Sequence, residues 1–146
     1  MIQRIQTIFL LLAAIILGIT FAFPFVRALG PTVFVPFLYD GVYNVVDHPA
    51  LIVTFAATAL LCLLSIFLFN NRPLQMRVTM LSVLLTIVCA GLTIFLFTQL
   101  VPMFYALSLR YSAGLFLPLG AILFQILAYR GIKKDERTVR SMDRLR

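Results

Sequence analysis

The sequence predicts an all-α membrane protein: four transmembrane helices in an up-down bundle, with a small extracytoplasmic β-hairpin between the first two. Three observations carry this. Of 146 residues, 62% are apolar and only 12% are charged, whereas soluble domains carry roughly 25% charged residues. Four long apolar stretches contain no Asp, Glu, Lys, Arg or His. The basic residues between them fall almost entirely on alternate connections. Such a composition excludes a disordered chain, a disulfide scaffold and an ordinary soluble enzyme. The length leaves no room for a separate soluble catalytic module.

A spanning helix needs about 20 mostly apolar residues to cross a hydrocarbon core of about 30 Å. Residues 7–25, 50–69, 78–100 and 113–129 meet this need and define a transmembrane domain over 1–129. They are separated by Pro24 and Arg27, by Asp47-His48-Pro49, by Asn70-Asn71-Arg72-Pro73, and by Pro102 and Arg110. The first span follows Arg4 as a signal-peptide core would, but it is longer than the usual 7–15 residues or so and lacks a good cleavage site. It is expected to remain in the mature chain. One side of the membrane receives ten basic residues: Arg4, Arg72, Arg77, Arg130, Lys133, Lys134, Arg137, Arg140, Arg144 and Arg146. The other receives Arg27 and Arg110. The positive-inside rule then places both termini in the cytoplasm. The net charge of +7 is mostly this asymmetry, and nucleic-acid binding is not expected.

Helices in lipid associate through small and hydroxyl-bearing residues. The third span carries Thr79, Ser82, Thr86, Cys89 and Thr93 at alternating spacings of three and four. The second carries Thr54, Thr58, Cys62 and Ser65. Folding this hairpin about its short loop brings Ser65 near Ser82, Thr58 near Cys89 and Thr54 near Thr93. The first span has Ala14, Gly18 and Ala22 at four-residue intervals. The fourth has Tyr111, Gly114, Pro118, Ala121, Gln125 and Ala128 along one side. A kink is expected at Pro118, which cannot donate to the preceding turn. Gln125 is expected to face protein, because its amide has no partner in lipid. Pro118 and Gln125 admit a hinge or pocket reading, against which ordinary helix packing is the favoured one.

The outer loop covers residues 27–48. Strand-forming runs at Val33–Tyr39 and Val42–Val46 flank Asp40-Gly41, a two-residue hairpin signal. Pro36 demotes the first run to an edge. The aromatics Phe34, Phe37, Tyr39 and Tyr43 suit the membrane interface. The tail, 130–146, holds seven basic and three acidic residues. Ile132, Val139, Met142 and Leu145 give it a narrow apolar face, and Glu136 and Arg140 are spaced as a helical pair. It serves either as a topology anchor on anionic lipid or as a docking element; the interleaved acids argue against a purely polybasic lipid patch.

The missing chemistry is equally informative. Cys62 and Cys89 both lie within spans and read as buried thiols. His48, the single histidine, sits in a turn, so no haem or metal ligand set exists. The acids Asp40, Asp47, Asp135, Glu136 and Asp143 all lie outside the spans, where none can serve as a membrane-embedded proton carrier. No nucleophile with a base and no phosphate-binding Gly-rich loop is present. The chain is therefore expected to be non-enzymatic and to need no cofactor.

The opening Met1-Ile2-Gln3-Arg4-Ile5-Gln6-Thr7 resembles that of a family of short multi-pass bacterial membrane proteins carrying only a domain-of-unknown-function label. The ending is similar too: Ile132-Lys133-Lys134-Asp135-Glu136, then Val139-Arg140-Ser141, then Asp143-Arg144-Leu145-Arg146. So is the Asp40-Gly41-Val42-Tyr43 turn. The resemblance implies four spans in a Gram-negative inner membrane and no known activity or ligand. A family recognisable by its tail favours docking over anchoring. The functional expectation is an accessory or assembly subunit. It would meet anionic lipid and a membrane or cytoplasmic protein partner through Arg4, Lys133, Lys134, Arg137, Arg140, Arg144 and Arg146. The alternative is a small transporter or lipid-handling protein.

Overall fold

A computed structural model describes residues 2–29, 40–100 and 108–143. Four helices dominate: α1 (Ile2–Ile19), α2 (Pro49–Phe67), α3 (Arg72–Leu100) and α4 (Leu117–Asp143). Each packs on its two neighbours in sequence order, and α4 closes the ring on α1. The ring order, which the sequence did not give, is thus α1-α2-α3-α4. Three strands, β1 (Val26–Leu29), β2 (Val42–Tyr43) and β3 (Ser108–Tyr111), form a sheet at one end.

The bundle is inverted relative to a soluble protein. Thr58, Ser65, Thr79, Ser82, Thr86 and Gln125 are fully buried, while Ile8, Leu60, Leu84, Val88 and Leu123 are among many large apolar side chains that are exposed. Exposed apolar patches of this extent do not persist in water. Helices α2, α3 and α4 are long and apolar enough to cross a membrane, and α1 contributes a shorter apolar stretch, Ile5–Ile19.

The first span is shorter than expected. Instead of continuing to residue 25, the helix ends at Ile19. The Thr20 hydroxyl bonds back to Ile16 O at 2.9 Å. Phe21 and Ala22 then donate to Gly18 O and Ile19 O in a tightened turn, and Pro24 cannot continue a helix. Phe25 owes its apolar character to burial beneath the sheet, at 1% exposure.

The second connection matches its signals closely. Asn71 separates the final turn after α2 from α3, and Pro73 occupies the first turn of α3, where a missing N–H costs nothing. The same reason corrects the expected kink in the fourth span. A single 3-10 turn, Ala113–Phe116, precedes α4, so Pro118 lies in the first turn rather than mid-helix.

The outer sheet also departs from expectation. Gly41 does adopt a left-handed conformation, at φ 72, and the Asp40 carboxylate accepts from Val42 N at 3.1 Å. The strand pairing with β2, however, is β1, with Val26 opposite Tyr43. A third strand, β3, pairs with the other edge of β1. The run 33–39 lies outside the described residues. Val45–Asp47 is a 3-10 turn, not the end of a strand. Strand pairing between residues eighty apart leaves no local sequence signal.

Candidate functional site

Between α2, α3 and α4 runs a ladder of polar side chains. Gln125 is its hub. Its Nε2 lies 2.9 Å from Thr86 Oγ1 and donates to Cys62 Sγ at 3.1 Å, while its Oε1 accepts from Thr86 at 3.0 Å. Ser82 O, 2.8 Å from Thr86 Oγ1, is the other acceptor within reach of the single Thr86 hydroxyl proton. Toward the sheet, Thr58 Oγ1 sits 3.5 Å from Cys89 Sγ. Toward the α2–α3 loop, Ser65 Oγ meets Thr79 Oγ1 at 2.7 Å, and Gln75 Nε2 donates to Ser65 O at 3.0 Å. The expected Ser65–Ser82 pair is therefore replaced by Ser65–Thr79, and Ser82 faces Cys62. Thr54 and Thr93 each bond a carbonyl of their own helix instead of each other. The pairing is thus shifted by about a turn near the loop, while Thr58 and Cys89 keep the expected register.

Every buried side-chain N and O atom among the described residues has a partner. Both thiols are free and buried. A satisfied ladder of this kind fastens helices to one another. Among the described residues no cluster of potential metal ligands exists. On α1 the expectation for Gly18 fails: it is exposed, and nothing lies within 4 Å of where its Cβ would be. Leu10, Ala13, Ala14 and Leu17 form the packed face instead.

The end opposite the sheet is locked by residues that the charge pattern does not flag. Gln6 Nε2 donates to Asp135 Oδ2 at 2.6 Å, and Arg72 Nη1 donates to the Asp135 carbonyl at 3.3 Å. Gly131 permits the approach: a Cβ there would lie 2.8 Å from Gln6 Cγ. Ile132 is buried at 1% exposure. The tail is therefore no separate appendage at its start. α4 runs unbroken to Asp143, and α1 and the start of α3 hold it in place.

This fixing sorts the charges of the tail. Arg130, Lys133, Lys134 and Arg137 are exposed, whereas Asp135 and Glu136 are half-buried. The four cations, with Thr138 and Ser141, line a shallow depression of about 440 Å³. Interleaved in sequence, acids and bases separate on the helix because its period of about 3.6 residues turns 135 and 136 inward. Arg4 and Arg140 lie on α1 and α4, and Arg144 and Arg146 lie outside the described residues.

At the sheet end, Tyr43 is not an interface aromatic. It is buried at 1% exposure and packs on Phe25 and Phe97 with ring centroids 5.8 and 5.7 Å away. Burial, reinforced by the nearby Asp47 charge, pushes its phenol up to about 12. Burial likewise raises the Asp47 carboxyl, although the Asn44 backbone N–H opposes the shift.

These features define a polar-cored helical bundle with an apolar exterior, the organisation of an integral membrane protein. Residues 2–145 match the family described as "Domain of unknown function (DUF4293)", and the chain belongs to that family. No curated protein and no solved structure matches it.

Proposed function

We propose that this protein is a non-enzymatic, four-span accessory or assembly subunit of the bacterial inner membrane, with both termini in the cytoplasm. It docks an acidic segment of a protein partner on the basic face of α4. The single observation that carries the reading is that face: Arg130, Lys133, Lys134 and Arg137 stand exposed together on a helix held rigidly by Gln6 and Arg72. A rigid array of cations lowers the ordering cost of recognising an acidic partner. Anionic lipid contributes to the same face at about 1 kcal/mol per basic residue near the membrane surface.

The fourth span rests on α1, whose exposed side, Ile5, Ile8, Leu11, Ile15 and Ile19, is wholly apolar and continues the outer surface of the other three helices. Ten basic residues against two support the orientation. A small transporter or lipid-handling protein is the weaker reading. The Gln125 ladder spends its polar groups on one another, where a transport path needs groups facing a cavity.

The test is purification of the tagged full chain from its native membrane at native expression, with quantitative mass spectrometry of what accompanies it. A stoichiometric partner is expected, and Lys133→Gln/Lys134→Gln/Arg137→Gln should release it while leaving insertion intact. A partner-free particle, or a partner retained by the triple variant, would overturn the docking reading.

A further inference from the structure

Arg27 on β1 and Arg110 on β3 are directly opposite partners in an antiparallel pair. Both are exposed. Opposite residues project from the same face with Cβ atoms roughly 5 Å apart, and like charges so placed repel. The neighbouring residues on the other face, Val26 and Tyr43, are buried against the bundle, so the two guanidiniums point away from it. The nearest acid in sequence to Arg27, Asp40, turns one carboxylate oxygen to its own backbone at Val42 N. Two exposed cations opposite each other in the strand register supply the donor set of a phosphate clamp, since guanidinium forks match phosphate oxygens.

Beneath this pair, an apolar groove runs between the sheet-proximal parts of α3 and α4. It consists of two adjoining cavities of about 240 and 300 Å³ that share Phe25, Thr93, Ile94 and Leu115. The deeper one reaches Pro118 and Leu119, and the other ends at Tyr43 and Tyr111 under the sheet. Its hydroxyls are already engaged: Thr93 bonds Cys89 O at 2.8 Å, and Tyr43 bonds Thr93 O at 3.5 Å. The groove therefore offers mainly hydrocarbon, with Thr98 and Tyr111 as polar groups at its sheet end. It opens sideways past Ile94 and Phe116, both more than half exposed. The edge strand β3 joins the two features. Arg110 faces the clamp, and the adjacent Tyr111, on the opposite face, lines the mouth of the groove.

We propose that this end of the bundle binds one anionic phospholipid, with its phosphate between Arg27 and Arg110 and an acyl chain in the α3–α4 groove. The charge selects the headgroup and the groove takes the tail. The proposal rests on the membrane-spanning reading of the bundle and is independent of docking at the tail.

The test uses the full chain in phosphatidylcholine vesicles containing trace phosphatidylglycerol, or trace phosphatidylcholine, with a diazirine in the acyl chain. Cross-linked peptides are mapped after illumination. Labelling of residues 90–98 and 115–119 should favour phosphatidylglycerol about tenfold, because both lipids offer the same phosphate but the choline cation of phosphatidylcholine is repelled by the two guanidiniums. Arg27→Gln/Arg110→Gln should bring the two lipids level, and Arg27→Lys/Arg110→Lys should restore part of the preference in a chain of unchanged helicity. Lys133→Gln/Lys134→Gln/Arg137→Gln should leave groove labelling unaltered, which separates this site from the tail. Equal labelling by the two lipids in the wild type, or a preference that survives the double glutamine variant, would overturn the proposal.

Discussion

An unpaired amide in a hydrocarbon environment costs several kcal/mol, and Gln125 escapes this by bonding Thr86 and Cys62. Replacement by Met keeps the volume and removes the bonds. Thr86 then donates to Ser82 O, so no buried hydroxyl is orphaned. Gln125→Met is thus expected to cost only about 1 kcal/mol, read from the unfolding equilibrium in mixed detergent micelles. A loss above about 3 kcal/mol would mean that the amide holds more than these two partners. Tyr43 makes a prediction of a different kind. Its folded-state value, about 12, lies above the ordinary 10.0, so the folded protein holds the phenol proton more tightly than the unfolded chain does. The stability it contributes is whole below pH 10.0 and is lost as pH rises through about 12. In an ultraviolet titration of the five tyrosines, one should ionise last, and Tyr43→Phe should remove that phase.

The elements meet at two glycines, each pressed by a neighbour. At Gly114 a Cβ would collide with the backbone carbonyls of Phe23 and Pro24, and backbone cannot yield as a side chain can. Gly114→Ala should cost about 1–3 kcal/mol and loosen the turn between α1 and β1, seen as faster amide exchange at 25–28. Gly131 meets only the Gln6 side chain, which can move, so Gly131→Ala should be milder. The Gln6–Asp135 bond is what fastens the basic stretch of α4 to α1. Asp135→Ala should leave the inner bundle intact and raise amide exchange over 133–143. Unchanged exchange there would mean that the packing of Ile132 and the Arg72 bond to the residue-135 carbonyl, which the variant keeps, hold the tail.

For the molecule as a whole, the inverted distribution of polarity has a direct consequence. Cys62 and Cys89 are both fully buried inside a ladder with no unpaired polar atom among the described residues. A polar maleimide added to intact membranes should modify neither thiol, and both should react once the protein is unfolded in dodecyl sulfate. Modification of Cys62 in the membrane would reveal a wet path to the centre of the bundle and return weight to a transport role.

Helix number, the approximate extent of the helices and the buried amide were legible in the sequence, because each follows from a local regularity. Apolar length reports on the extent of a helix, and the three-four spacing of Thr and Ser reports on its buried face. Membership of the DUF4293 family was legible in the order of residues at the two ends. Tertiary structure alone decided what depends on distant partners. It ended α1 at Ile19, paired β1 with strands on both sides, left Gly18 exposed, and shifted Ser65 from Ser82 to Thr79. It also turned Asp135 toward Gln6, and so converted a tail of mixed charge into a helix with a uniformly basic outer face. A chain carries its own periodicities, but the side of a helix that meets another helix is set by the three-dimensional packing of all four, and no window of sequence contains that.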